Sequence, residues 1–311
     1  MNASLSVVLP TYNRGAVLLD TLDFLFAQSV LPGEIIVVDQ TQYVSGDEHA
    51  SRLSTLHKRG KIIWVRRTEP SIPQAMNQGL ITSSSDWVLF LDDDVEFARD
   101  FIQEHLRQIE KGDALAHVGQ IVQPWQEPNT RMLKYESGNG LYEDLDFRFN
   151  ADREFRIRNC MAGNLCVSRE AALNAGGFDE NFTGSAFRFE TEFCKRFCLR
   201  NKTLFKYTPT PKLDHLYVKS GGTRAHANHL TSFSPAHSMG DYYYALLNGL
   251  NMASALYVLR RLVFSLKAKF YLKKPWYIPV RIVAEVRGLV NAILSIKKGQ
   301  SLVSCDLETA R

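Results

Sequence analysis

Four short apolar runs fix most of what this 311-residue chain can become. They read LSVVLP (5 to 10), EIIVVD (34 to 39), KIIWVR (61 to 66) and WVLFLD (87 to 92). Each is continuous rather than alternating, as strands buried on both faces of a parallel sheet are. Between them lie stretches of helical period. Leu18, Leu22, Leu25 and Phe26 share one face, and further helices are expected near 48 to 58 and 73 to 82. Strand and helix in alternation predict right-handed βαβ units around a mostly parallel, Rossmann-like α/β sheet. In open sheets of this kind ligands bind beyond the carboxyl ends of the strands. The residues to watch are therefore Pro10, Thr11, Tyr12, Asn13 and Arg14 after the first run, Asp39 after the second, and Arg66 to Glu69 after the third.

The fourth run ends in three aspartates, Asp92, Asp93 and Asp94. Two carboxylates about 4 Å apart repel by roughly 4 kcal/mol at an effective dielectric near 20. The cluster must be well solvated or must meet a cation. Alternation along an extended segment turns Asp92 and Asp94 to one side and Asp93 to the other. Such a pair suits a magnesium or manganese ion that keeps positions open for phosphate oxygens. The plain alternative is a solvated turn whose last aspartate caps a helix beginning near VEFARDF.

The second half is less regular. A helix around 98 to 111 leads to ALAHVGQIV, then to a polar, aromatic excursion over 124 to 158 carrying Trp125, Tyr135, Tyr142 and Phe147. CMAGNLCVSREAALNAGGFDE (160 to 180) predicts a strand, a helix capped by Ser168, and a turn at Gly176 and Gly177. A helix over FRFETEFCKRFCLRN, a strand over TLFKYTP, the loop DHLYVKSGGTR and a helical tail from about 239 follow. Five cysteines without a CxxC spacing argue against a disulfide framework or zinc knuckle and for a reducing compartment. The N-terminal apolar run is too short for a signal peptide, so a cytoplasmic protein is expected. A net charge of +4 gives no reason to expect nucleic acid.

Taken in order, VVLPTYNR, IIVVDQ, EPSIPQAMNQGL, FLDDD, and GGFDE followed by an acidic helix resemble the inverting glycosyltransferases of family 2. That resemblance covers roughly residues 4 to 220 and implies the GT-A nucleotide-diphospho-sugar transferase fold. It implies a catalytic domain over 1–238, with a nucleotide-sugar half (about 1–112) and an acceptor half (about 113–238), and a helical extension over 239–311. By the same likeness Pro10 to Arg14, Glu69, Asn77, Asp92 and Asp93 border the donor, and Asp39 accepts a hydrogen bond from its base, commonly uracil or thymine. Asp94 ligates Mn2+ or Mg2+, and His215 joins the metal or diphosphate. Arg224 in SGGTR closes over the leaving diphosphate, with Lys219 competing for that role. Asn164 and Asp179 contact the acceptor.

Displacing a nucleoside diphosphate with inversion also requires a base on the opposite face to take the acceptor hydroxyl's proton. The family carries that acid at the start of the helix after GGFDE. With Arg196 as the anchor, Glu190 stands at the base position and Glu192 at the next acid. Phe189 occupies the place of the usual first acid. The competing view makes both glutamates ordinary first-turn acids favoured by the helix dipole. A sugar-phosphate nucleotidyltransferase would share the sheet and the metal aspartates, but it would want a Gly-rich phosphate loop where PTYNRG stands. A non-catalytic sugar-nucleotide-binding protein would lack an acid at 190.

The tail is basic. From Tyr257 to Lys298 ten Lys or Arg face one acid, Glu285, with aromatic residues interleaved. This suits a helix lying in the interface of an anionic membrane; a homodimer through the tail, or packing on the domain, is the alternative. Residues 242 to 259 are uncharged, but Asn248, Gly249, Asn251 and Ser254 make them a poor span. A transferase held on the inner face of the cell membrane would fit a saccharide or lipid-linked acceptor of a surface-polysaccharide pathway.

Overall fold

The computed structural model describes residues 4–127, 131–138, 140–218, 220–222 and 230–303. Its first part alternates as the apolar runs require: β1 (Leu5–Thr11), α1 (Ala16–Phe26), β2 (Glu34–Asp39), α2 (Glu48–Lys58), β3 (Ile63–Arg66), α3 (Ile72–Thr82) and β4 (Trp87–Leu91). The strands pair in parallel, β1 with β2 and β4, and β2 with β3. Thr11, Asp39 and Arg66 stand level across three strands, so their carboxyl ends open on one edge.

Side-chain alternation divides the core between the two faces of this sheet. Val7, Leu9, Ile35, Val37 and Leu89 pack with Leu18, Leu22 and Leu25 of α1. Val8, Ile36, Val38, Val88 and Phe90 pack with Ala75, Met76 and Leu80 of α3. Helix α3 lies so close to β1 that a Cβ on Gly79 would stand 2.2 Å from Val8.

After β4 the chain continues through β5 (Val95–Phe97), α4 (Phe101–Glu110), β6 (Ala116–Val122), β7 (Phe155–Ile157), β8 (Asn164–Ser168), α5 (Arg169–Asn174), α6 (Phe189–Asn201) and β9 (Phe205–His215). The sheet has the order β3-β2-β1-β4-β8-β6-β9-β5, with β7 also on β9. Two sequence expectations change here. VEF does not open a helix: it is strand β5, antiparallel to β9 with Val95 opposite His215. The strand expected over TLFKYTP runs on to His215, because its second half pairs with both β6 and β5. His215 therefore sits on a strand end, fixed by a ladder, rather than in a loop. Ser168 caps α5 as expected, its hydroxyl accepting from Ala171 N–H at 3.4 Å.

Among the described residues four α-helices follow: α7 (Met239–Leu247), α8 (Met252–Ser265), α9 (Lys269–Lys273) and α10 (Ile278–Lys298). They are built into the body. Tyr242, Tyr243 and Tyr244 of α7 belong to the same buried cluster as Phe178, Phe182 and Phe193. No helix among the described residues is long and apolar enough to cross a membrane.

Candidate active site

The end of β4 resolves the crowding of the three aspartates by giving each a different environment. Asp93 is buried and receives Nε of Arg14 at 3.1 Å. Burial pushes its carboxyl up to about 7 against the pull of the Arg14 guanidinium, with Asp94 and Asp92 adding to the rise. Asp94 is also buried; its Oδ2 meets Nη2 of Arg14 at 3.1 Å and accepts from Val218 N–H at 2.9 Å. Its Oδ1 faces Nε2 of His215 at 3.3 Å. Asp92 is the open one: its side chain is 48% exposed, and its Oδ2 lies 3.6 Å from the same imidazole nitrogen. Asp92 and Asp94 thus share a side, and Asp93 points elsewhere.

Arg14, expected to touch the donor, is engaged by the protein. Besides the two carboxylates, its Nη1 donates to the carbonyls of Val218 and Ser220, each at 2.7 Å. The segment after β9 is thereby drawn over the loop after β1. Gly222 N–H donates to the Tyr12 carbonyl at 2.7 Å, and a Cβ on Gly221 would meet the Asn13 carbonyl at 2.2 Å. Lys219 and Arg224 lie outside the described residues.

A cleft of about 500 Å3 opens here, lined by Pro10, Thr11, Tyr12, Arg14, the three aspartates, His215 and Glu190. Glu190 is in the first turn of α6, where the helix dipole favours a carboxylate. Its Oε1 accepts from Ala162 N–H at 2.7 Å. One residue on, Gly163 sits against Asp92, so that a Cβ there would stand 2.2 Å from Oδ2. Ala162 and Gly163 therefore link Glu190 to Asp92 within the lining of the cleft. Glu192 is placed differently: it is buried, both its oxygens are held by Arg196 at 2.8 and 2.7 Å, and Gln300 adds a third donor at 2.9 Å.

Several residues expected at the ligand are tied into the framework. Asp39 is fully buried, accepting from Thr41 N–H at 2.9 Å and from the Trp64 indole at 3.0 Å. Asn77 turns away from the cleft: it accepts from Phe178 N–H and donates to the Phe178 carbonyl, both at 2.8 Å. Asn164 is buried, donating to the carbonyls of Gln120 and Pro211. Asp179 is buried too, and it accepts from Asn181 N–H, Ser301 N–H, Tyr243 Oη and Gln300 Nε2. In each of the four at least one polar atom is held by the protein itself, which leaves the donor and acceptor contacts expected of them as proposals. Glu69 is exposed on the loop after β3 and does not line the cleft.

Asp179 yields a first prediction. An Asp179→Ala chain leaves buried donors unpaired, at about 1–3 kcal/mol each, and should melt several degrees lower. A melting temperature equal to that of the parent would show that the turn does not depend on this carboxylate.

The sequence reading missed Tyr217, which stacks edge-on against Trp125 with ring centroids 5.0 Å apart at the rim of the cleft. Both rings are exposed, at 55% and 65%. The Ala162 amide was missed as well, since no side-chain pattern signals a backbone donor. A compact group of ligand-type side chains, His105 of α4, His117 and Cys166, lies in the core. There the two imidazoles bond each other at 2.9 Å, and burial pushes both pKa values down, that of His117 to about 3.

Asp92 Oδ2, Asp94 Oδ1 and His215 Nε2 converge, and Nδ1 of His215 is buried without a hydrogen-bond partner. Two carboxylates beside an imidazole at the mouth of a cleft fit a small divalent cation that retains open positions.

A family model described as "Glycosyl transferase family 2" matches residues 6–174, more than half of the chain. The amylovoran biosynthesis glycosyltransferase AmsB of Erwinia amylovora is 33% identical over 110 residues, 35% of this chain and 36% of that protein. The GalNAc(5)-diNAcBac-PP-undecaprenol beta-1,3-glucosyltransferase of Campylobacter jejuni is 26% identical over 184 residues, 58% of this chain and 56% of its own length. The chain thus matches from about a third to just over half of these curated relatives. Among solved structures, the mannosyltransferase PcManGT from Pyrobaculum calidifontis, in complex with GDP-Man and Mn2+, superposes with a TM-score of 0.53 at 15% identity, covering 94% of this chain and 87% of that one. At that identity the likeness concerns the fold alone.

Proposed function

The chain belongs to glycosyl transferase family 2, and on that premise we propose that it moves a sugar from a nucleoside-diphosphate sugar to an acceptor hydroxyl with inversion at the anomeric carbon. The observation that carries this reading is one cleft lined by Asp92, Asp94, His215 and Glu190 together. A transferase of this kind needs both: a site for the diphosphate, and a base on the opposite side of the reacting carbon.

A divalent cation held by Asp92, Asp94 and His215 would offset the charge that develops on the departing diphosphate. Glu190 takes the proton of the attacking hydroxyl, and its Oε1 is oriented for this by Ala162 N–H. Arg14 holds Asp93, Asp94 and the segment after β9 in register and so acts through them. Tyr12 and Asn13 border the nucleotide, and the Trp125 and Tyr217 rings offer a stacking surface for a sugar. The donor half spans about 1–112 and the acceptor half about 113–238. We assign a UDP- or dTDP-linked donor and a saccharide or lipid-linked acceptor used at an anionic membrane surface. The names of the two curated relatives, an amylovoran biosynthesis enzyme and a glucosyltransferase acting on an undecaprenol-linked saccharide, support that class of acceptor.

The test is donor turnover by the purified full chain. UDP-, dTDP- and GDP-sugars are supplied with manganese, and slow hydrolysis that EDTA abolishes is expected. Hydrolysis indifferent to EDTA would remove the metal from the reading. Pyrophosphate released from a nucleoside triphosphate and a sugar phosphate would make the protein a nucleotidyltransferase instead.

A further inference from the structure

Helices α8 and α10 are amphipathic in the inverse sense. On α10 the inward face carries Arg281, Ala284, Glu285, Gly288 and Ala292. Its outward face carries Ile282, Val283, Val286, Val290, Ile293 and Leu294, each at least 40% exposed. Helix α8 repeats the arrangement: Ser254, Tyr257 and Ser265 are buried, while Met252, Leu256, Leu259 and Val263 are exposed at intervals of four, three and four residues. Between the helices, Leu272 and Trp276 are 85% and 65% exposed. An ordinary surface helix would show the opposite distribution, and an exposed apolar face of this extent marks an interaction surface.

The charges say what covers it. From Tyr242 to Val303 the sole acid is Glu285, which is buried and paired with Arg281 and Arg261. Of the ten basic residues in that stretch, the other eight are exposed. Lys267, Lys269, Lys273 and Lys274 bracket the short helix between the two stripes, and Arg260 and Arg287 lie within them. A second copy of the chain would bring like charges together, and protein interface cores are depleted of lysine. Apolar stripes, a basic surround and an exposed tryptophan suit a bilayer rich in anionic lipid, where each basic residue near the surface adds attraction.

We propose that the outward faces of α8 and α10, with the basic segment between them, are a membrane-docking surface lying in the plane of an anionic bilayer. This makes specific the membrane partner named in the proposed function, but it concerns binding alone and needs neither donor nor transfer.

The test is co-sedimentation of the full chain with vesicles of phosphatidylcholine, with and without about one third phosphatidylglycerol. Binding to the anionic vesicles is expected. It should fall by about tenfold or more in Leu259→Glu/Val286→Glu, and likewise in Lys273→Glu/Lys274→Glu. All four side chains are exposed, so an unchanged melting temperature is expected. If the apolar pair melts early, Val290→Glu replaces it. Equal binding by the variants, or none by the parent, overturns the proposal. So does a dimer that Val286→Glu dissociates in a chain indifferent to vesicles, which would assign the face to a second copy. A chain that turns over donor but ignores vesicles defeats this inference alone; one that binds vesicles but turns over no donor defeats the transferase reading alone.

Discussion

Glu190→Gln should bind a nucleotide sugar with affinity close to that of the parent and yet turn it over about a thousandfold more slowly. General-base catalysis contributes about 100- to 10,000-fold. Glu190 lines the same cleft but is not among the residues proposed to hold the cation, so removing its charge should leave donor binding in place. The side-chain amide introduced by the substitution still accepts from Ala162 N–H through its carbonyl oxygen, so the wall of the cleft keeps its shape. Glu192→Gln makes the necessary contrast. That acid is locked against Arg196 in the interior, and breaking a buried pair costs about 3–5 kcal/mol. The Glu192 variant should therefore melt early, while the Glu190 variant melts normally and fails in turnover. A Glu190→Gln protein with undiminished turnover would end its assignment as the base.

Asp94→Ala should lose manganese-dependent donor binding by at least about a hundredfold. Even residues that only support a metal ligand cost about 10- to 100-fold in metal affinity, and Asp94 would be a direct ligand. The defect has a second part. Asp94 is where Arg14, His215 and the Val218 amide meet, so its loss also loosens the segment after β9. Raising manganese should restore none of that second part. Titration of donor at increasing metal, followed by fluorescence or calorimetry, separates the two. Unaltered affinity at every metal concentration would exclude Asp94 from the metal site.

The sequence carried the sheet well because continuous apolar runs are a local signal, and all four became strands within about two residues of the expected ends. The side that each of the three aspartates takes was also legible, since alternation along an extended chain is local. The internal partners of Asn77, Asp179, Asn164 and Asp39 were not legible, because they come from distant parts of the chain: Phe178 for Asn77, Ser301 for Asp179, Pro211 for Asn164 and Trp64 for Asp39. The basic tail was visible as composition, while its inverted faces depend on what α7 and the buried Glu285 draw inward.

The chain's return after α10 has a practical consequence for any deletion of the C-terminal helices. Gly299 to Val303 run back along the turn that precedes α6, through Gly299 to Asn181, Ser301 to Glu180 and Val303 to Gly176. Three of the four donors that hold Asp179 come from Tyr243, Gln300 and Ser301. A protein shortened after residue 240 would lose both the proposed docking faces and the brace of the helix bearing Glu190 in a single cut. Loss of vesicle binding and loss of activity by deletion would then be indistinguishable, so the docking proposal has to be tested by recharging the outward faces of α8 and α10 while leaving the returning chain from Gly299 to Val303 in place.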